Sequence, residues 1–175
     1  KLNNTKEAQL EQNLIDLLCA QHGQWTFRSD LKTEEDLWNN LRNIIEIRNK
    51  SELNDNMLTD SEFERIRSEI LANTKTPFEA AKWLRGEKGK CSVVLERDNG
   101  LGRIELIIYS SIEKNGGFSS YEIVHQIAKN KSNLEERSRR FDITLLIGGL
   151  PIIQIELKTA IAKDGVKQAY YQIEK

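Results

Sequence analysis

The stretch FDITLLIGGLPIIQIELK, Phe141–Lys158 with Arg140 in front of it, decides how the rest of the chain is read. It holds two apolar runs rich in β-branched residues, Ile143–Ile147 and Ile152–Leu157, separated by Gly148, Gly149, Leu150 and Pro151. Runs of this length around a Gly/Pro cluster read as two strands and a tight turn. Both runs are apolar at most positions, so the hairpin is expected near the centre of a sheet.

The few polar residues of the hairpin share a phase. Side chains alternate across a strand, which sends Gln154, Glu156 and Lys158 to one face and Ile153, Ile155 and Leu157 to the other. If the pairing is centred on Gly149, Asp142 falls opposite Glu156 on the same side of the sheet. Two carboxylates and the Lys158 ammonium then converge at the end of an apolar hairpin. Burying them unpaired is costly, and a divalent cation is the natural compensation. The competing reading is the wet face of an edge strand, because Glu-x-Lys pairs are common in a chain that is 30% charged. The joint pattern of Asp, turn and apolar-Glu-apolar-Lys favours the first.

Asp142 followed by ITLLIGGLPIIQIELK resembles the Asp…(Asp/Glu)-x-Lys nuclease signature of the PD-(D/E)xK superfamily. More specifically it resembles the N-terminal nuclease domain of the R subunit of type I restriction-modification enzymes. There the run reads Asp-Ile, apolar residues, Asn-Gly-Leu-Pro, apolar residues, Glu-Leu-Lys. Gly148 stands where Asn is usual, a change that a turn position of positive φ tolerates. Ala169-Tyr170-Tyr171-Gln172-Ile173 resembles the family's Gln-x-x-x-Tyr helix, whose Tyr would fall one residue past Lys175. Tyr121–Gln126 resembles the strand that precedes the site. The resemblance spans roughly residues 104–175, is thinner at the N-terminal helix, and is not visible between about 30 and 90.

The resemblance implies an α/β (mixed α+β) restriction-endonuclease-like core, a central mixed sheet flanked by helices, with a helical insert at about 33–85 in a single nuclease domain 1–175. It implies a Mg²⁺-dependent endonuclease acting on double-stranded DNA. Asp142 and Glu156 would be the metal ligands, Lys158 would orient water or stabilise the transition state, and Gln172 would reach the site from its helix. Glu11 joins them because the family often carries a Glu in the first helix near the metal; its alternative is a solvent-edge Glu suited to a helix N-terminal turn. The implied partners are DNA and the methyltransferase and specificity subunits, with ATP needed only by a motor in the full-length subunit, and the implied location is cytoplasmic. A non-catalytic nuclease-like module for DNA binding or subunit docking, and another repair nuclease of the same superfamily, are the alternatives. The intact Asp142/Glu156/Lys158 set weighs against the module.

A length of 175 residues suits one domain with a sizeable core. The chain opens on Lys1 and ends inside a helical pattern, so it is expected to be the N-terminal fragment of a longer, motor-containing chain. No G-x-x-x-x-G-K-[ST] loop occurs, since Gly86–Lys90 lacks that spacing. Nothing resembles a signal peptide, and no apolar run approaches the ~20 residues of a membrane span. Cys19 and Cys91 are too few and too separate for a metal cluster or disulfide framework and read as ordinary thiols. A net charge of −1 does not fit a general nucleic-acid coat. Attraction to DNA would need local patches, and Lys129–Arg140 supplies one candidate: Arg139 and Arg140 stand just before Asp142, and Lys163 lies in the loop after Lys158. The same run also reads as a solvated loop. His22 and His125 lack partners at metal spacing and read as structural.

Asn4 or Thr5 can cap a first helix to about Ala20, with Leu10, Leu14, Leu17 and Leu18 as its stripe. Residues 33–50 predict a second helix after Thr33, and Lys50–Asn56 a polar link. Thr59 or Asp60 starts a third carrying Phe63, Ile66, Ile70 and Leu71, and Thr76-Pro77 starts a fourth with Phe78, Trp83 and Leu84. The aromatics of this insert, Trp38 included, read as core. Asp98-Asn99-Gly100 marks a hairpin between Ser92–Glu96 and Arg103–Tyr109.

Overall fold

The structure, a computed structural model, describes residues 2–20, 24–111, 120–127 and 142–157. The chain divides into two compact units, residues 1–39 with 120–175, and residues 40–119. The elements are α1 (Leu2–Ala20), β1 (Thr26–Phe27), α2 (Glu34–Arg48), α3 (Lys50–Leu53), α4 (Asp60–Asn73), α5 (Pro77–Arg85), β2 (Lys90–Glu96), β3 (Arg103–Ser110), β4 (Tyr121–His125), β5 (Ile143–Ile147) and β6 (Leu150–Ile155).

The first unit is built on a four-stranded sheet in the order β1-β4-β5-β6. β1 runs parallel to β4 and the other pairs are antiparallel, so the sheet is mixed. Period-two alternation gives it two buried faces. On one, Ile123, Ile143 and Leu145 pack with Ile15 of α1, joined by Leu14, Leu18, Trp25, Phe27 and Ile155. On the other, Val124 and Leu146 pack with Leu31 and with Leu37 from the first turns of α2. A central mixed sheet flanked by helices is the restriction-endonuclease-like arrangement expected from the sequence.

Two details of this unit differ from expectation. β5 is interior and buried from Ile143 to Leu146, but β6 is the edge of the described strands, with Ile152 and Ile153 exposed at 42% and 45%. Pro151 explains the placement: without an N–H it suits an edge strand or a bulge and not a sheet centre. In α1, Leu10 and Leu17 face outward while Glu11, Leu14, Ile15 and Leu18 turn inward. These four recur at helical spacing, so the buried stripe is rotated from the all-leucine one and takes Glu11 with it.

The second unit, residues 40–119, has its own two-stranded sheet of β2 and β3, with α4 and α5 against β2 and α3 against β3. The expected hairpin is present, and Asn99 takes φ 58 at its turn. α4 opens with a capping box between Thr59 and Glu62, and α5 with Thr76 as cap and Pro77 in its first turn. The link expected at Lys50–Asn56 begins instead with α3, which exists because Leu53 is buried. Phe78 and Leu71 are exposed at 78% and 52%, so neither belongs to the core as expected. Trp83 is half-buried.

Candidate active site

The site is set by how β5 hands over to β6. Ile147 pairs with Leu150, leaving Gly148 and Gly149 as a two-residue turn with φ 59 and 79. Positive φ at both positions is what a type I′ hairpin turn demands, and glycine adopts it without strain. Continued regularly, this turn would bring Asp142 opposite Ile155. The ladder shifts instead between Leu145 and Leu146: Leu146 pairs with Pro151, Leu145 with Ile153, and Ile152 is the extra residue. From there outward the pairs are Thr144 with Gln154 and Ile143 with Ile155. One step beyond the last rung stand Asp142 and Glu156. A one-residue slip exchanges the faces of a strand, so the bulge is what lets both carboxylates flank the same last rung, Ile143 with Ile155.

The backbone closes around Asp142. Its Oδ2 accepts the Leu157 N–H at 2.6 Å, and its carbonyl accepts the Gln126 N–H at 3.2 Å. A carboxylate retains acceptor sites beyond one such bond, so Asp142 is held in place without being used up. Asp142 and Glu156 are both half-buried. Glu11 is only 8% exposed and accepts a hydrogen bond from Gln126 Nε2 at 3.0 Å. Gln126 follows β4 and is one of five non-glycine residues with positive φ among those described, at 51. The middle of α1, the end of β4, the start of β5 and the end of β6 thus come together at one end of the sheet.

Among the sequence-derived candidates, then, Asp142 and Glu156 each stand one residue past the Ile143–Ile155 rung, and Glu11 is tied to the residue ahead of β5 through Gln126. Lys158, Gln172, Arg139, Arg140 and Lys163 lie outside the described residues, as does His22. His125 packs edge-on against Phe27, with ring centroids 5.3 Å apart, in keeping with a structural role. Sequence reading gave Gln126 no role, because nothing in a Gln marks it for a left-handed conformation or for a partner 115 positions away.

The donor set suits a hard divalent ion in kind. Asp142 and Glu156 offer oxygen ligands, and Mg²⁺ characteristically takes one or two carboxylates and completes its shell with water and phosphate. Among the described residues no group of three or more His, Cys, Asp and Glu gathers as a metal site. Among the described residues Glu11, Asp142 and Glu156 therefore do not form an all-protein cage.

Comparison with known proteins bears on the whole chain. The family described as "Type I restriction enzyme R protein N terminus" matches residues 4–175. The type I restriction enzyme SsaAORF53P endonuclease subunit of Staphylococcus saprophyticus is 33% identical over 130 residues, which is 73% of this chain and 12% of that protein. The SauCOLORF180P endonuclease subunit of Staphylococcus aureus strain COL is 32% identical over 133 residues, 75% of this chain and 13% of that protein. The chain thus spans about an eighth of the length of the curated relatives it matches.

Proposed function

Because the chain belongs to the family of type I restriction enzyme R protein N termini, we propose that it is the subunit's nuclease domain, a Mg²⁺-dependent endonuclease that hydrolyses phosphodiester bonds of double-stranded DNA. The observation that supports this reading is the shifted register that leaves Asp142 and Glu156 each one residue past the Ile143–Ile155 rung, with the Leu157 N–H bonded to Asp142.

In this reading Asp142 and Glu156 hold the metal through carboxylate oxygens. The ion, when bound, supplies a water of lowered pKa and neutralises charge on the phosphate. The Leu157 N–H fixes the Asp142 carboxylate, so the ligand does not have to be ordered on binding. Lys158, two residues after Glu156 and in phase with it in sequence, stabilises the charge that develops on phosphate oxygens. Glu11 and Gln172 complete the catalytic set, and Arg139, Arg140 and Lys163 contact DNA phosphates, which positions the duplex without reading its sequence. The partners are the methyltransferase and specificity subunits of a cytoplasmic restriction complex, and ATP serves the motor of the full-length subunit.

The test uses the R subunit reconstituted with its partner subunits on a DNA carrying their recognition site. Asp142→Ala is expected to lower cleavage at least about 100-fold, the order seen when a group stabilising transition-state charge is lost, with ATP hydrolysis retained. Cleavage at the wild-type rate would overturn the nuclease assignment and leave a DNA-binding or docking module.

A further inference from the structure

Resting on the nuclease reading, we propose that Gln126 is a positioning residue: its side-chain amide holds the Glu11 carboxylate of α1 to the strand end that carries Asp142. Two bonds make the connection, Gln126 N–H to the Asp142 carbonyl at 3.2 Å and Gln126 Nε2–H to Glu11 Oε2 at 3.0 Å. One residue thereby ties the middle of the first helix to the first residue ahead of β5.

The conformation of Gln126 argues that its side chain is the reason it is there. With φ 51 it occupies a region that glycine enters freely and Asn more readily than Gln. A position needing only the backbone turn is served by either. Neither has the reach of a Gln, and the bond to Glu11 crosses between separate elements of the fold. Glu11 in turn is 8% exposed, and a buried carboxylate needs a donor. The neutral amide provides one without cancelling the negative charge. That leaves Glu11 attractive to a cation at the end of the sheet where Asp142 and Glu156 stand. Residues that orient ligands in this way are worth 10–100-fold in metal affinity when removed.

The test is Mn²⁺ binding by the chain, followed by calorimetry, with Gln126→Gly, Gln126→Asn, Glu11→Ala and the Gln126→Gly/Glu11→Ala pair. Gly and Asn both accept the left-handed backbone, so the fold is expected to be retained, with thermal unfolding lowered only by the loss of the bond to Glu11. Each single variant is expected to weaken Mn²⁺ binding about tenfold. The double variant is expected to be no weaker than Glu11→Ala alone, because Gln126 acts through Glu11. Wild-type affinity in Gln126→Gly or Gln126→Asn, or additive losses in the double variant, would overturn the role of Gln126. A parallel Asp142→Ala titration separates the two levels. If it binds as wild type does, the metal reading fails. If it loses the metal while the Gln126 variants bind normally, only the positioning role fails.

Discussion

At the scale of single residues, buried charge is met by hydrogen-bond partners, as one pair among the described residues shows. Glu62 and Arg97 of the second unit are 0% and 3% exposed and meet at 2.7 Å. Burial alone would push the Glu62 carboxyl up, but Arg97 and the N–H groups of Thr59 and Asp98 outweigh it and hold the group below its ordinary value. A carboxyl lowered in the folded state adds stability that is fully present above its unfolded value, about 4.3, and is lost as pH falls through the lower, folded value. Arg97→Met removes the partner and leaves a buried charge, so it is expected to cost about 3–5 kcal/mol in denaturant unfolding at neutral pH. The deficit should shrink in acid, where Glu62 is protonated. A variant as stable as wild type, or one whose deficit does not change with pH, would mean that the pair does not hold this unit together. Gln126 is the contrasting case. It sits in strained backbone, a state that costs on the order of 1–3 kcal/mol, and its bonds lead to the candidate site and not to the core.

At the scale of elements, the hairpin shows how far sequence patterns reach. The β-branched runs and the glycines marked two strands and a turn, although the turn is only Gly148-Gly149 and the second strand runs Leu150–Ile155, because Leu150 and Pro151 already pair. Of the residues that alternation put on one face, Ile155 and Leu157 pack into the core with α1, while Ile153 is exposed. The route to the register was not legible. Centring the pairing on Gly149 suggested a symmetric turn, whereas the chain uses a two-residue turn and absorbs the extra residue at Ile152. Bulges leave little mark in composition beyond a nearby Pro or Gly. β1 was equally invisible: its two residues, Thr26 and Phe27, are strand only because β4 lies beside them in parallel. Deleting Ile152 should regularise the ladder and keep Asp142 and Glu156 past the Ile143–Ile155 rung, so Mg²⁺ affinity should stay within about twofold of wild type. Deleting Ile152 and Ile153 together shifts Glu156 to the opposite face and should abolish binding. Affinity lost already in the single deletion would show that the bulge does more than set register, and affinity kept in the double deletion would show that this register is not what binds the metal.

At the scale of the molecule, the sheet unit is assembled from both ends of the chain and the second unit from residues 40–119 between them. The resemblance read from the sequence followed this division only in part. It was clear from about residue 104 onward, where motif residues cluster, thinner at α1, and absent between about 30 and 90, where capping and apolar spacing specify helices without chemistry. No helix among the described residues is long and apolar enough to cross a membrane. The proposed function turns on whether the end of the hairpin carrying Asp142 and Glu156 binds a divalent metal. Calorimetric titration of Mg²⁺ into wild type and Asp142→Ala, with and without a DNA duplex, tests it most directly. Saturable binding is expected in wild type and is expected to disappear in the variant. Equal binding in both, or none in either even with DNA present, would contradict it.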